Sequence, residues 1–131
     1  MVSPRQLDAI ANGIELGQMS ADAVLFARDL VNEPPSTTTP AYLADVAKSL
    51  AKKNAAISCE ILGPEEMKTL GMGALLSIAR GSDEEPRFIK LVYEGGSRKT
   101  AALLGKGITF DTGGLSLKDS NNMETMKLDM A

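Results

Sequence analysis

The chain contains no histidine and no tryptophan, and its 131 residues include a single cysteine. Without histidine, Ser-His and Cys-His catalysis and the commonest zinc ligand are all removed together. Any metal must therefore be held by carboxylates or by a less usual donor. Cys59 alone cannot form an internal disulfide, which agrees with a reducing compartment. Its neighbours Ile57 and Ile61 predict a buried strand position, so a structural role is preferred to a nucleophilic one. Aromatic residues amount to 4% of the chain, so a packed core has to be built from Leu, Ile, Val, Ala and Met.

Clustered charge is missing as well. Fourteen basic residues face seventeen acidic ones, a net charge of -3, and no stretch concentrates Lys and Arg as a nucleic-acid footprint does. No apolar run approaches the ~20 residues that span a bilayer, and the segment Met1 to Ile10 is too polar for a signal peptide. Neither nucleic acid nor membrane is an expected partner, and a soluble cytoplasmic protein is the expectation. Domains commonly run to about 100–150 residues, so length does not separate a whole domain from a piece of one.

What is present alternates between helix and strand patterns. Val24, Leu25, Leu30 and Val31 predict a helix from Ser20 to Val31 behind a Ser cap, ended by Asn32 and the Pro34-Pro35 pair. Thr39 offers an N-cap with Pro40 at the first helical position, and Leu43, Val46, Ala47 and Leu50 recur at helical spacing. Ile57, Cys59 and Ile61 alternate with Ser58 and Glu60, which predicts a strand stopped by Gly63-Pro64. A short helix from Pro64 to Leu70 follows. Periodicity does not settle whether the apolar stretch Ala74 to Ala79 is helix or strand, and a helical turn followed by a strand is preferred. Residues 80–86 form a charged turn, Phe88 to Tyr93 a strand, Gly95-Gly96-Ser97 a turn, and Thr100 to Leu104 a compact apolar strand. The expected class is α/β, a mixed sheet flanked by helices. The proline-rich stretch 34–40 is the one plausible boundary, and the first thirty-odd residues read as a linker.

The glycine-rich segment 105–118 runs directly out of that last strand. Ligands of open α/β sheets bind beyond the carboxyl ends of strands, so the loop stands where a site is expected. A Gly-Lys pair after a strand resembles a phosphate-binding loop, but Gly107 stands where Ser or Thr is required. The earlier glycine of that pattern is missing, and no G-x-G-x-x-G occurs.

Asp111 lies between apolar or small runs, and a poorly solvated carboxylate needs a cation or strong donors. An ion pair with Lys106 or Lys118, or an Asp turn, satisfies that need as well as a metal does. Asp129 falls in a run where Met123, Met126 and Met130 recur at helical spacing, a pattern more common in cores. Asp119 and Glu124 read as surface charges.

From Gly105 to Met130, with Lys106, Asp111, Lys118 and Asp129 at matching spacing, the segment resembles the signature of the leucyl aminopeptidase family, the M17 metallopeptidases. Ala27 to Pro35, Gly71 to Leu75 and Arg80-Gly81-Ser82 resemble that family too. The likeness covers about residues 20–131. It implies residues 1–33 as a linker helix region and 34–131 as the amino-terminal, truncated part of the catalytic domain. It also implies two divalent cations, manganese or zinc with magnesium a third candidate, and release of amino-terminal residues, often leucine, from a peptide substrate.

By that likeness Lys106 would ligate one metal through a neutral amine, Asp111 would be shared by both metals, and Asp129 would join Lys106. Lys118 would be the catalytic lysine that stays charged and stabilises the oxyanion. Met126 would wall the pocket for the substrate's first side chain, a reading that stands beside a core role.

The family's later Asn-Thr-Asp-Ala-Glu-Gly-Arg segment, with the remaining Asp and Glu ligands and an arginine that holds a bicarbonate base, does not occur in these residues. A fragment is therefore expected, inactive when isolated. The homo-hexamer of the complete family member is not expected of it. The alternative is a non-catalytic remnant that at most binds a partner through uncovered apolar surface.

Overall fold

The computed structural model describes residues 4–96, 99–115 and 117–130. Ser97 of the expected turn, Ser116 of the glycine loop and the first three residues lie outside this set.

The first helix, α1, runs from Pro4 to Asn32 rather than from Ser20. Ser20 is not a cap: its hydroxyl donates to the Leu16 carbonyl at 2.9 Å, a mid-helix back-bond to the preceding turn. Leu7, Ile10 and Ile14 continue the helical spacing towards the amino end. Gly13 and Gly17, each about 1 kcal/mol less favourable than Ala in a helix interior, hide that pattern in the sequence. Much of α1 is open to solvent, Ile10, Ile14 and Leu25 included. After Asn32 the Pro34 carbonyl accepts from the amides of Thr37 and Thr38 at 2.8 and 3.0 Å, which turns the chain sharply.

Helix α2, Pro40–Lys53, begins as its sequence requires, with Pro40 in the first turn and Thr39 Oγ1 accepting from the Tyr42 amide at 3.2 Å. Its inner face carries Ala44 and Ala47, both buried, and packs against strand β1, Ile57–Leu62. Gly63 then caps α3, Pro64–Thr69. The Glu66 carboxylate reaches back to accept from the Gly63 amide at 3.0 Å, the half of a capping box that a glycine N-cap allows.

The stretch expected to turn from helix to strand is wholly helical, α4, Gly73–Ala79. Seven residues without a β-branched run fit two helical turns, and among the described residues no strand pairs with them.

Strand β2, Phe88–Tyr93, returns antiparallel to β1, pairing Ile57 with Tyr93 and Leu62 with Phe88. Glu60 and Lys90 stand directly opposite and are joined at 2.9 Å. Cys59 is half-buried rather than buried, because one face of this two-stranded sheet is thinly covered.

The largest correction concerns Thr100 to Leu104, which is not a strand. Leu103 and Leu104 are 101% and 94% exposed. A strand exists only against a neighbour that accepts its hydrogen bonds. Among the described residues the sheet ends at β1 and β2.

The predicted helix through Met123 and Met130 is divided into α5, Ser120–Glu124, and a 3-10 turn, Met126–Leu128. All three methionines are half-buried. The class holds, helices combined with a small antiparallel sheet in an incomplete domain. Its core is slight: Ala44, Ala47, Met67 and Thr38 are the buried residues among those described.

Candidate metal centre

The glycine loop folds around Asp111. Gly113 adopts φ +73°, a left-handed conformation that a glycine takes without strain. Its amide donates to Asp111 Oδ1 at 2.7 Å, closing an Asx turn. The other carboxylate oxygen, Oδ2, lies 3.1 Å from Lys118 Nζ. That same ammonium donates to the Asp111 carbonyl at 2.7 Å and lies 3.2 Å from Met126 Sδ. Lys118 is the more covered partner, its side chain 29% exposed against 47% for Asp111.

A second pair stands beside the first. Lys106 Nζ donates to Asp129 Oδ2 at 2.8 Å across 23 residues of sequence. Asp129 directly follows the 3-10 turn, its amide donating to the Met126 carbonyl at 3.3 Å. Helix α5, which leads into that turn, is capped by Asp119. One oxygen of Asp119 accepts from the Asn122 amide at 2.9 Å and the other from the Asn122 side chain at 2.8 Å. Lys127, within the turn, donates to the Asn32 carbonyl at the end of α1 at 2.9 Å.

The electrostatics join the two pairs into one group. The Gly113 amide, then the Lys118 ammonium and more weakly Lys106, hold the Asp111 carboxyl below the usual carboxylate range. The Asp129 carboxylate, through its hydrogen bond first and its charge second, raises Lys106 above its ordinary 10.5, with Asp111 adding to the effect. Exposed ion pairs contribute about 0–1 kcal/mol each to stability. Neither pair is therefore an efficient way to hold the fold.

The structure thus brings Lys106, Asp111, Lys118, Asp129 and Met126 together. The ion pair and the Asp turn anticipated for Asp111 are both realised. Met126 meets the Lys118 ammonium through its sulfur. Two participants were not singled out for the roles they play. Asp119 had a local signal, an Asp opening a polar turn ahead of a short helix. Lys127 had none, because its acceptor lies 95 residues away.

The donor set can be tested against a divalent cation. Among the described residues no three His, Cys, Asp or Glu side chains form a metal-binding group. The Lys106–Asp129 and Lys118–Asp111 pairs lie within electrostatic reach of each other, and each carboxylate already holds a cation, an ammonium, against one of its oxygens. Hard oxygen donors beside one nitrogen suit manganese, magnesium or zinc. They fit part of a shell, since such ions take about four to six ligands.

Comparison with known proteins identifies the family. The sequence profile of the cytosol aminopeptidase family, catalytic domain, matches residues 25–131. The chain belongs to that family. It is 48% identical over 124 residues to a probable cytosol aminopeptidase of Legionella pneumophila (strain Corby), covering 94% of this chain and 26% of that one. A probable cytosol aminopeptidase of Xylella fastidiosa (strain M23) is 49% identical over 120 residues, 91% of this chain and 24% of that protein.

Among solved structures, the bottromycin maturation enzyme BotP in complex with Mn superposes with a TM-score of 0.80 at 41% identity. It covers 98% of this chain and 27% of its own. The chain spans about a quarter of the length of the curated relatives it matches. No helix among the described residues is long and apolar enough to cross a membrane.

Proposed function

We propose that the chain carries the first half of the metal site of a metal-dependent, leucine-type aminopeptidase. Lys106, Asp111 and Asp129 would be metal-holding residues, Lys118 the catalytic residue and Met126 a wall of the substrate pocket. The observation that carries this reading is the placing of two lysine–carboxylate pairs, drawn from separate segments and close enough to feel each other's charge, where they contribute little to stability. The relatives' names support peptide hydrolysis, and the manganese of the BotP complex supports a divalent cation. Manganese is accordingly the first choice, with zinc and magnesium as rivals. The relatives' name supports a cytoplasmic location.

Bound cations would polarise the peptide carbonyl and make a water more acidic near neutral pH. The remaining work falls to the chain. Lys106 would release to solvent the proton it now donates to Asp129, so that its nitrogen lone pair is free. Asp111 keeps one oxygen fixed by the Gly113 amide and presents the other. Lys118 donates from Nζ to the oxygen on which negative charge develops, a use of a fixed donor that commonly contributes 10²–10³ in rate, on the order of the loss of one oxyanion donor. Met126, already against Lys118, sets the wall beside that donor.

Manganese binding by the 131-residue chain tests the site. Asp111→Asn and Asp129→Asn should each abolish it, and retention in both variants would sink the reading. The isolated chain should not turn over a leucyl anilide. Residues 25–131 grafted in place of the matching segment of the Legionella relative should restore hydrolysis, and Lys118→Met in that graft should remove it.

A second reading, a non-catalytic remnant, has its own support in the full exposure of Leu103, Leu104 and Leu115. A graft that stays inactive with its manganese bound would favour it.

A further inference from the structure

We infer that Lys127 is a positioning residue, a strut that ties the turn carrying Met126 and Asp129 to the carboxyl end of α1. The inference rests on the reading of Asp129 as a metal-holding residue. Its geometry starts from the end of α1. A helix leaves its last four carbonyls without intrahelical donors, and the last turn of α1 contains no basic residue of its own. Lys127 supplies a cation from 95 residues away, donating to the carbonyl of Asn32, the final helical residue, at 2.9 Å. The ammonium also lies where the helix dipole favours positive charge.

The other end of the strut explains why the contact matters. The turn Met126–Leu128 is three residues of 3-10 helix, too short to hold its own direction. Three side-chain contacts hold it: Lys127 to Asn32, the bond of the adjoining Asp129 to Lys106, and the Met126 sulfur against Lys118. Taking up a cation consumes the second contact, because Lys106 and Asp129 then turn their donor atoms from each other to the ion. The bond from Lys127 survives that exchange. It keeps Asp129 aimed while its former partner is released, and it keeps the Met126 sulfur against Lys118. A solvated surface lysine would do neither.

The experiment measures manganese affinity and amide hydrogen exchange on the 131-residue chain. Four proteins are compared: the unaltered chain, Lys127→Met, Lys127→Arg and Lys90→Met. The last removes an exposed lysine ion-paired in the sheet, away from the site. Lys127→Met should weaken manganese about tenfold, the low end of what losing an outer partner of a metal ligand costs. Lys127→Arg should recover most of that loss, and Lys90→Met should change nothing. Without metal, Lys127→Met should also speed exchange at the Leu128 and Asp129 amides, both bonded within the turn.

Unchanged affinity in Lys127→Met, or equal loss in the Arg and Met variants, overturns the inference. If manganese binding survives Asp111→Asn and Asp129→Asn, the metal site falls instead. The exchange rates of the metal-free chain then decide the strut alone, with unaltered exchange in Lys127→Met counting against it.

Discussion

Lys106 Nζ lies 2.8 Å from Asp129 Oδ2, so two residues proposed to hold one cation now hold each other. The carboxylate raises the lysine above 10.5, which keeps the amine protonated and unavailable as a ligand. Metal uptake must displace that proton. Manganese affinity is expected to rise about tenfold per pH unit below the amine's pKa, one proton leaving per ion. Titrations in buffers of different ionisation enthalpy will count the protons. Lys106→Arg should abolish the slope with the binding, since a guanidinium keeps its proton. An affinity indifferent to pH would refute the role of Lys106.

Much of this was legible in the sequence. The cap of Thr39 on α2 and the alternation of β1 follow from local chemistry, and both stand in the fold. Lys106, Asp111, Lys118 and Asp129 were named from a family resemblance, whereas spacing alone offered a glycine loop beside a strand. What stayed hidden depends on distant partners. Apolar residues at 100–104 satisfy every local criterion for a strand, yet strand formation is decided by a neighbour. The split of the methionine run was invisible for a similar reason, since the direction of the 3-10 turn is set by Lys127 and Asn32.

Asp111 should carry a small acid-sensitive share of the fold's stability, small because its side chain is 47% exposed and solvent screens its partners. Its folded pKa is lowered from the ordinary 3.8, chiefly by the Gly113 amide. That contribution is complete above 3.8 and is lost as pH falls through the lowered value. Lys106 has the opposite sign: its share is complete below 10.5 and disappears as pH climbs through the raised value. Melting temperature followed against pH should decline at both extremes, with Asp111→Asn flattening the acid limb. Gly113→Ala forces a side chain into φ +73° at a cost of roughly 1–2 kcal/mol. It should raise the Asp111 pKa by disturbing the donating amide, and Gly113→Asn should restore part of the shift. An unaltered Asp111 titration in Gly113→Ala would remove the glycine from this account.

Met67 is fully buried on α3, the largest side chain in a core that otherwise holds Ala44, Ala47 and Thr38 among the described residues. Truncation to Ala at such a position costs about 2–5 kcal/mol. Whole domains are stable by about 5–15 kcal/mol, so a core this small has little to spare. Met67→Ala should abolish a cooperative thermal transition, whereas Met67→Leu, which conserves volume, should keep one. Calorimetry of the two variants distinguishes them, and a cooperative melt in the Ala variant would show that stability resides elsewhere.

Leu103, Leu104, Leu115 and Leu117 are 101%, 94%, 100% and 74% exposed. Leu103 and Leu104 directly precede the glycine loop and Leu115 and Leu117 lie within it, so apolar surface and candidate site share one segment. Extended apolar backbone without a pairing partner is a template for another chain. The chain is therefore expected to self-associate as its concentration rises, and sedimentation velocity will show it. Leu103→Lys with Leu104→Lys should suppress association, because charge on an open edge opposes pairing. The distance of these leucines from the Lys118 and Asp129 contacts is the point at issue: if the double variant stays monomeric and still binds manganese, the apolar segment and the metal-holding residues are separable. Persistent association in the double variant would move the cause to α1, whose Ile10, Ile14 and Leu25 are also exposed.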